Sequence, residues 1–153
     1  LTSTMDLLPT FAKLAGGQVP ADRVIDGRDI TALFAGADGS RVENRPYYFY
    51  ARTRLAAVRL GKWKLHLPRP VDKTWEKYSK SEDAMAVEAP MLYDLEADIG
   101  ESIDVASEYP EVVADLMKYI EKARSDIGDF DRIGKNARFF DPEPRRPDIL
   151  AKQ

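Results

Sequence analysis

The hydrophobic pattern is clearest between Leu55 and Leu67. From Lys62 onward apolar and polar residues alternate without a slip. Trp63, Leu65 and Leu67 share one face, and Lys62, Lys64 and His66 share the other. Such alternation predicts a strand with one buried and one wetter face. Val58 and Arg59 end a preceding strand, and Leu60-Gly61 reads as a tight hairpin turn. Tyr47-Tyr48-Phe49-Tyr50, between Pro46 and Ala51, is a strand by composition, with rings expected on both faces. Leu92-Tyr93-Asp94-Leu95 reads as a further strand, ended by Asp98-Ile99-Gly100-Glu101.

Two stretches follow the helical period instead. Residues 3–15 carry Leu7, Leu8, Phe11, Leu14 and Ala15 as an apolar stripe, with Ser3 and Asp6 at capping-box spacing and Gly16-Gly17 as the stop. Residues 110–127 carry Val113, Leu116, Met117, Ile120, Ala123 and Ile127 on one face, with Pro110 at the first position and Gly128 after the end. Between them, Gln18 to Arg45 is turn-rich, with a helical turn expected at Thr31–Gly36. Pro68 to Pro90 is a long loop, and Gly134 to Gln153 an extended tail that Phe139 and Phe140 would dock. The elements predict an α+β fold: a small antiparallel sheet of about four strands packed by the C-terminal helix.

Composition narrows the function classes. The 153 residues carry a net charge of −3, which gives no reason to expect a nucleic acid partner. The absence of cysteine excludes a disulfide, a thiolate metal site and a thiol nucleophile. No apolar run reaches the ~18 residues of a membrane span, and no basic-then-apolar leader opens the sequence. Asp26, Arg28 and Asp29 form a charge cluster, but without metal-ligand spacing, so a solvated turn is expected.

Candidate chemistry is sparse. His66 is the only histidine, and it has no serine, cysteine or metal-ligand partner nearby in sequence. In the long loop, Lys73 and Trp75, with Lys77 and Tyr78, have the chemistry to touch an anionic sugar or aromatic: cations for the anion, rings for the apolar part. The alternative is a solvated loop with Trp75 pinned to the sheet.

Several blocks in order resemble a known family. Arg59-Leu60-Gly61-Lys62-Trp63-Lys64-Leu65, followed by Leu92-Tyr93-Asp94-Leu95 and Asp98-Ile99-Gly100-Glu101, is similar to the C-terminal region of arylsulfatase-type sulfatases, in the alkaline phosphatase superfamily. Ser3-Thr4-Met5-Asp6-Leu7-Leu8-Pro9-Thr10 with Leu14-Ala15-Gly16 resembles the last helix of the large sulfatase domain. Asp26-Gly27-Arg28-Asp29-Ile30 and Tyr109-Pro110-Glu111-Val112-Val113 complete the likeness.

The resemblance implies three parts: residues 1–45 as the end of a large α/β domain with its connecting loop, 46–130 as a sheet-helix subdomain, and 131–153 as a tail. It implies sulfate ester hydrolysis by a longer enzyme, with the nucleophile (a formylglycine) and the calcium ligands upstream of Leu1. No serine here stands in the family's Pro-x-Arg context. The expected roles are thus completion of the fold and a border to the substrate pocket, with no catalytic or metal-binding residue in this chain. His66, Lys73 and Trp75 are the substrate-contact candidates. The expected partner is an N-terminal sulfatase domain; a periplasmic or secreted location would suit the full-length enzyme, and oligomerisation stays open. Two other readings also stay open: a stand-alone, non-catalytic interaction module, and the C-terminal part of a phosphonate or phosphate ester hydrolase of the same superfamily.

Overall fold

The computed structural model describes residues 1–36, 44–69 and 87–138. The chain forms two compact units, Leu1–Arg45 and Pro46–Gln153.

The first unit opens with a 3-10 turn, Thr4–Asp6, that runs into helix α1, Leu7–Leu14. The capping box is complete: the Ser3 hydroxyl accepts from the Met5 N–H, and the Asp6 carboxylate accepts from the Ser3 N–H at 2.9 Å. Asp6 does more than cap. Fully buried, it also accepts from the Arg28 N–H at 2.8 Å and from the Arg45 guanidinium. Burial alone would raise its pKa, but these donors outweigh that and hold it below the usual carboxylate value. Thr10 ties the same knot, donating to the Asp6 carbonyl at 2.6 Å and accepting from the Ile30 N–H at 3.0 Å. The returning segment runs so close that a Cβ on Gly27 would lie 1.8 Å from the Met5 carbonyl oxygen, so only glycine fits. Of the charge cluster, Asp29 pairs with Lys13 and Thr31, which hold its pKa at about 2. The expected helical turn is α2, Thr31–Phe34.

The second unit is a four-stranded antiparallel meander in the order β1 (Tyr47–Ala51), β2 (Arg54–Leu60), β3 (Trp63–His66), β4 (Met91–Asp94). The hairpin turn lies one residue later than the sequence suggests. Leu60 pairs with Trp63, so Gly61 and Lys62 are its two residues. Gly61 sits at φ +60°, where a side chain would be strained, and as first of the two it suits the twist of the hairpin. Between β1 and β2 the register shifts at Phe49/Tyr50: Phe49 faces Ala57 and Tyr50 faces Leu55. Ala56 is the extra residue of a β-bulge. The bulge lets Leu55 and Val58, three apart, point to the same face.

That face is the core. Leu55, Val58, Leu65, Leu67 and Leu92 meet Leu116, Ile120 and Ala123 of helix α3, Pro110–Asp126. Tyr48, Tyr50, Leu60 and Trp63 pack around them. Rings do occupy both faces of β1, since Tyr47 and Phe49 form an edge-to-face pair on the other side, centroids 5.0 Å apart. Each fully buried aliphatic side chain contributes about 1.5–3 kcal/mol of transfer free energy.

Between the end of α3 and the expected tail lies a short ribbon. Gly128–Asp129 (β5) and Arg132–Ile133 (β6) pair as a short ribbon. The N–H groups of Gly134, Lys135 and Asn136 then donate to the Ile127, Ser125 and Asp126 carbonyls. The chain turns back because the helix leaves carbonyls unpaired at its C-terminus. Buried Asp129 pins the ribbon to the sheet, accepting from the Leu55 N–H at 3.0 Å and from Arg124 at 3.0 Å. Phe139 and Phe140 lie outside the described residues.

Ile120, fully buried under the sheet, is the most exacting position of this core. Ile120→Ala should lower unfolding free energy by about 2–5 kcal/mol. Lys118→Ala, on the exposed side of α3, should change it by less than about 0.5 kcal/mol. Urea titrations of the two variants check the pair.

Candidate functional site

The face of the sheet away from α3 carries the chemistry. Register places Phe49 beside Ala57, Ala57 beside His66 and His66 beside Met91; one pair along, Tyr47, Arg59, Lys64 and Tyr93 form a second row. Period-two alternation puts both rows on one side because the opposite residues are in the core. Lys64 lies over the Phe49 ring, its Nζ 4.8 Å from the centroid. The Tyr93 ring meets the His66 ring edge-on, centroids 5.5 Å apart.

Glu101 completes the cluster from the loop that follows β4. Its carboxylate accepts from Lys64 Nζ at 2.6 Å through one oxygen and lies 2.6 Å from His66 Nε2 through the other. All three side chains are largely shielded from solvent. On the far side of the imidazole, Arg69 Nη1 lies 3.2 Å from His66 Nδ1. Arg69 is fixed at its backbone by an antiparallel bridge to Val87, with both N–H···O bonds at 2.9 Å.

The loop that delivers Glu101 is built by its own carboxylates. Asp94 accepts from the Glu96 N–H at 3.0 Å and from Lys62 Nζ at 2.6 Å. Asp98 accepts from the Ser102 and Ile103 N–H groups at 2.5 and 2.8 Å. Asp104 accepts from the Leu92 and Ala106 N–H groups, both at 2.9 Å. Together they turn the chain sharply enough to leave Glu101 at φ +55°, uncommon for a residue other than glycine.

The protonation states follow from this geometry. Burial is the largest influence on His66 and lowers its pKa below 6.5; Glu101 opposes, while the Lys64 and Arg69 charges reinforce the drop. For Glu101 burial acts upward, but the hydrogen bonds from Lys64 and His66 overcome it and leave the carboxyl below its ordinary value. Near neutral pH the cluster is therefore a neutral imidazole beside a carboxylate, with the Lys64 and Arg69 side chains on either side.

Of the sequence candidates, His66 is placed in this cluster, whereas Lys73 and Trp75 lie outside the described residues. Sequence reasoning missed Glu101 and Arg69 as site residues. One signal was available: two basic residues on a half-buried strand face need a counter-charge, and Glu101 lies in the loop that follows β4. Among the described residues no group of three or more His, Cys, Asp and Glu side chains could hold a metal ion. Nor is any helix among them long and apolar enough to cross a membrane.

The lowered pKa of His66 makes stability depend on pH. The unfolded histidine takes a proton near its ordinary value of 6.5, while the folded one resists. Its contribution is complete above that value and is lost as pH falls through the folded pKa. The urea midpoint should therefore fall between about pH 7.5 and pH 5.5, and His66→Gln should flatten that fall.

Comparison with known proteins agrees with this architecture. Residues 42–144 match the family described as the C-terminal region of aryl-sulfatase. Steryl-sulfatase of Mus musculus is 50% identical over 58 residues, covering 38% of this chain and 9% of that protein. Arylsulfatase A of Bos taurus is 31% identical over 132 residues, covering 80% of this chain and 25% of that protein. A solved sulfatase structure from Pseudoalteromonas sp. covers 80% of this chain and 25% of its own, with a TM-score of 0.62 at 22% identity, and shows the same fold. The chain spans only 9% and 25% of the two curated relatives. The match over residues 42–144 covers well over half of the 153 residues, and the chain belongs to the family of aryl-sulfatase C-terminal regions.

Proposed function

We propose that this chain works as the C-terminal part of a longer sulfatase, a hydrolase of sulfate esters. In this reading it completes the fold and borders the substrate pocket with the polar face of its sheet. The observation that carries the reading is the family match to a C-terminal region, made by a chain whose match spans only 25% of arylsulfatase A of Bos taurus.

A second observation supports it. Helix α1 leaves Leu8, Phe11 and Leu14 more than half exposed, at 55%, 54% and 59%. Three large apolar side chains on one short helix suit a surface that another part of the same polypeptide covers. We assign that cover to the sulfatase domain upstream of Leu1.

Catalysis belongs to the same upstream part. Calcium and formylglycine, the groups the family's chemistry implies, do not fit the residues present here. The sequence has no cysteine to convert, and the described residues offer no group of three or more His, Cys, Asp and Glu side chains that could hold a metal ion. Isolated, the chain should therefore be inactive. Its own contribution is binding: the Lys64 and Arg69 side chains, the second held by His66, offer donors to an anionic substrate, and we keep Lys73 and Trp75 as further contact candidates.

The test compares the 153-residue chain with the longer polypeptide that contains it, using an aryl sulfate. Turnover by the longer polypeptide and none by the chain is the expected result. Turnover by the chain alone contradicts the proposal. Faster turnover of the matching aryl phosphate or phosphonate would move the protein to the ester hydrolases of the wider superfamily. The isolated chain should also bind a hydrophobic dye, and Phe11→Ser with Leu14→Ser should reduce that binding.

A further inference from the structure

The contacts of His66 admit only one arrangement of protons. Arginine has donors and no acceptor, so the Arg69 Nη1 contact at 3.2 Å requires a lone pair on His66 Nδ1. The proton must then sit on Nε2, where it donates to Glu101 at 2.6 Å. Both ring nitrogens are committed, so His66 is not a free base. Protonation at Nδ1 would set two donors and two like charges against each other.

Among the described residues, the groups facing His66 are few. Lys64 lies on its own strand, Tyr93 on β4, Glu101 on the following loop and Arg69 three residues on. On β2 it faces Ala57, which carries no charge, and the Arg59 Nε–H is spent on the Gly61 carbonyl. Lys64 anchors Glu101, Glu101 anchors His66, and His66 holds Arg69. The Val87 bridge fixes the Arg69 backbone at the other end. An arginine held at both ends loses little side-chain freedom on binding.

We propose that Arg69 is the oxyanion-reading residue of this face, and that Glu101 and His66 are positioning residues that act through it. Only one of its five N–H groups is used by His66, which leaves donors for a second partner. Among the described residues of this face, Arg59, Lys64 and Arg69 outnumber the Glu101 carboxylate, which suits an anionic group such as a sulfate ester. The inference rests on the sulfatase reading and deepens it: the group bound here is a sulfate on the substrate, and its hydrolysis takes place elsewhere.

The single histidine allows a direct test on the full 153-residue chain labelled with 15N. At about pH 7.5 the imidazole should be neutral with its proton on Nε2, an observation that needs no variant. Titration with methyl sulfate should shift the His66 Nδ1 and Arg69 Nε signals together and saturate. Arg69→Ala should abolish the response, and Arg69→Lys should weaken it. His66→Ala and Glu101→Gln should each lower affinity roughly tenfold, the scale of one charge-assisted hydrogen bond. His66→Gln, which keeps a donor and an acceptor, should restore most of it. A proton on Nδ1, a charged imidazole, or unchanged affinity in Arg69→Ala would overturn the inference.

Activity separates this result from the functional reading. If the longer polypeptide hydrolyses sulfate esters and Arg69→Ala leaves KM unchanged, the inference fails alone. If methyl sulfate binds as described but the longer polypeptide has no sulfatase activity, the functional reading fails and the oxyanion site stands.

Discussion

The packing of α3 on one face of the four-stranded sheet is the constraint on which the second unit depends. Leu65, Leu92 and Val58 from three strands and Ile120 from the helix are fully buried together. That commitment fixes the register of every strand, because a slip of one residue would send Lys64 and His66 into the core. It also decides where chemistry can sit. With one face spent on packing, the alternate residues of β3 are left to carry charge on the other.

That second face is not a plain solvated surface. Lys64 and His66 are mostly shielded, so their polar atoms need partners at hand. Glu101 supplies them through a loop whose shape is set by Asp94, Asp98 and Asp104. The acidic residues after β4 thus act as structural hydrogen-bond acceptors. The left-handed backbone at Glu101 is the local cost of delivering one carboxylate to two basic partners.

Much of this was legible in the sequence. The Trp63-to-Leu67 alternation gave the faces of β3, and the helical spacing from Val113 to Ala123 gave the face of α3. Local chemistry was legible too: Ser3 and Asp6 form the capping box that their spacing implies. What escaped depends on distance or on broken period. The bulge at Ala56 interrupts alternation, so Leu55 and Val58 do not read as one face. Glu101 lies 35 residues from His66, and no local rule pairs them. Asp6 reads as a cap, but its contacts with Arg28 and Arg45 appear only once the chain has returned. The ribbon after α3 escaped because strands of two residues carry no periodicity.

We propose that this sheet and helix serve a catalytic domain on the same polypeptide. The mass of the native product, detected in its source cells with an antibody to this region, tests that most directly. A product several times larger than the 17.3 kDa of this sequence is expected. A product near 17.3 kDa, with no larger form, would contradict the account and make the chain a module that works without a sulfatase domain of its own.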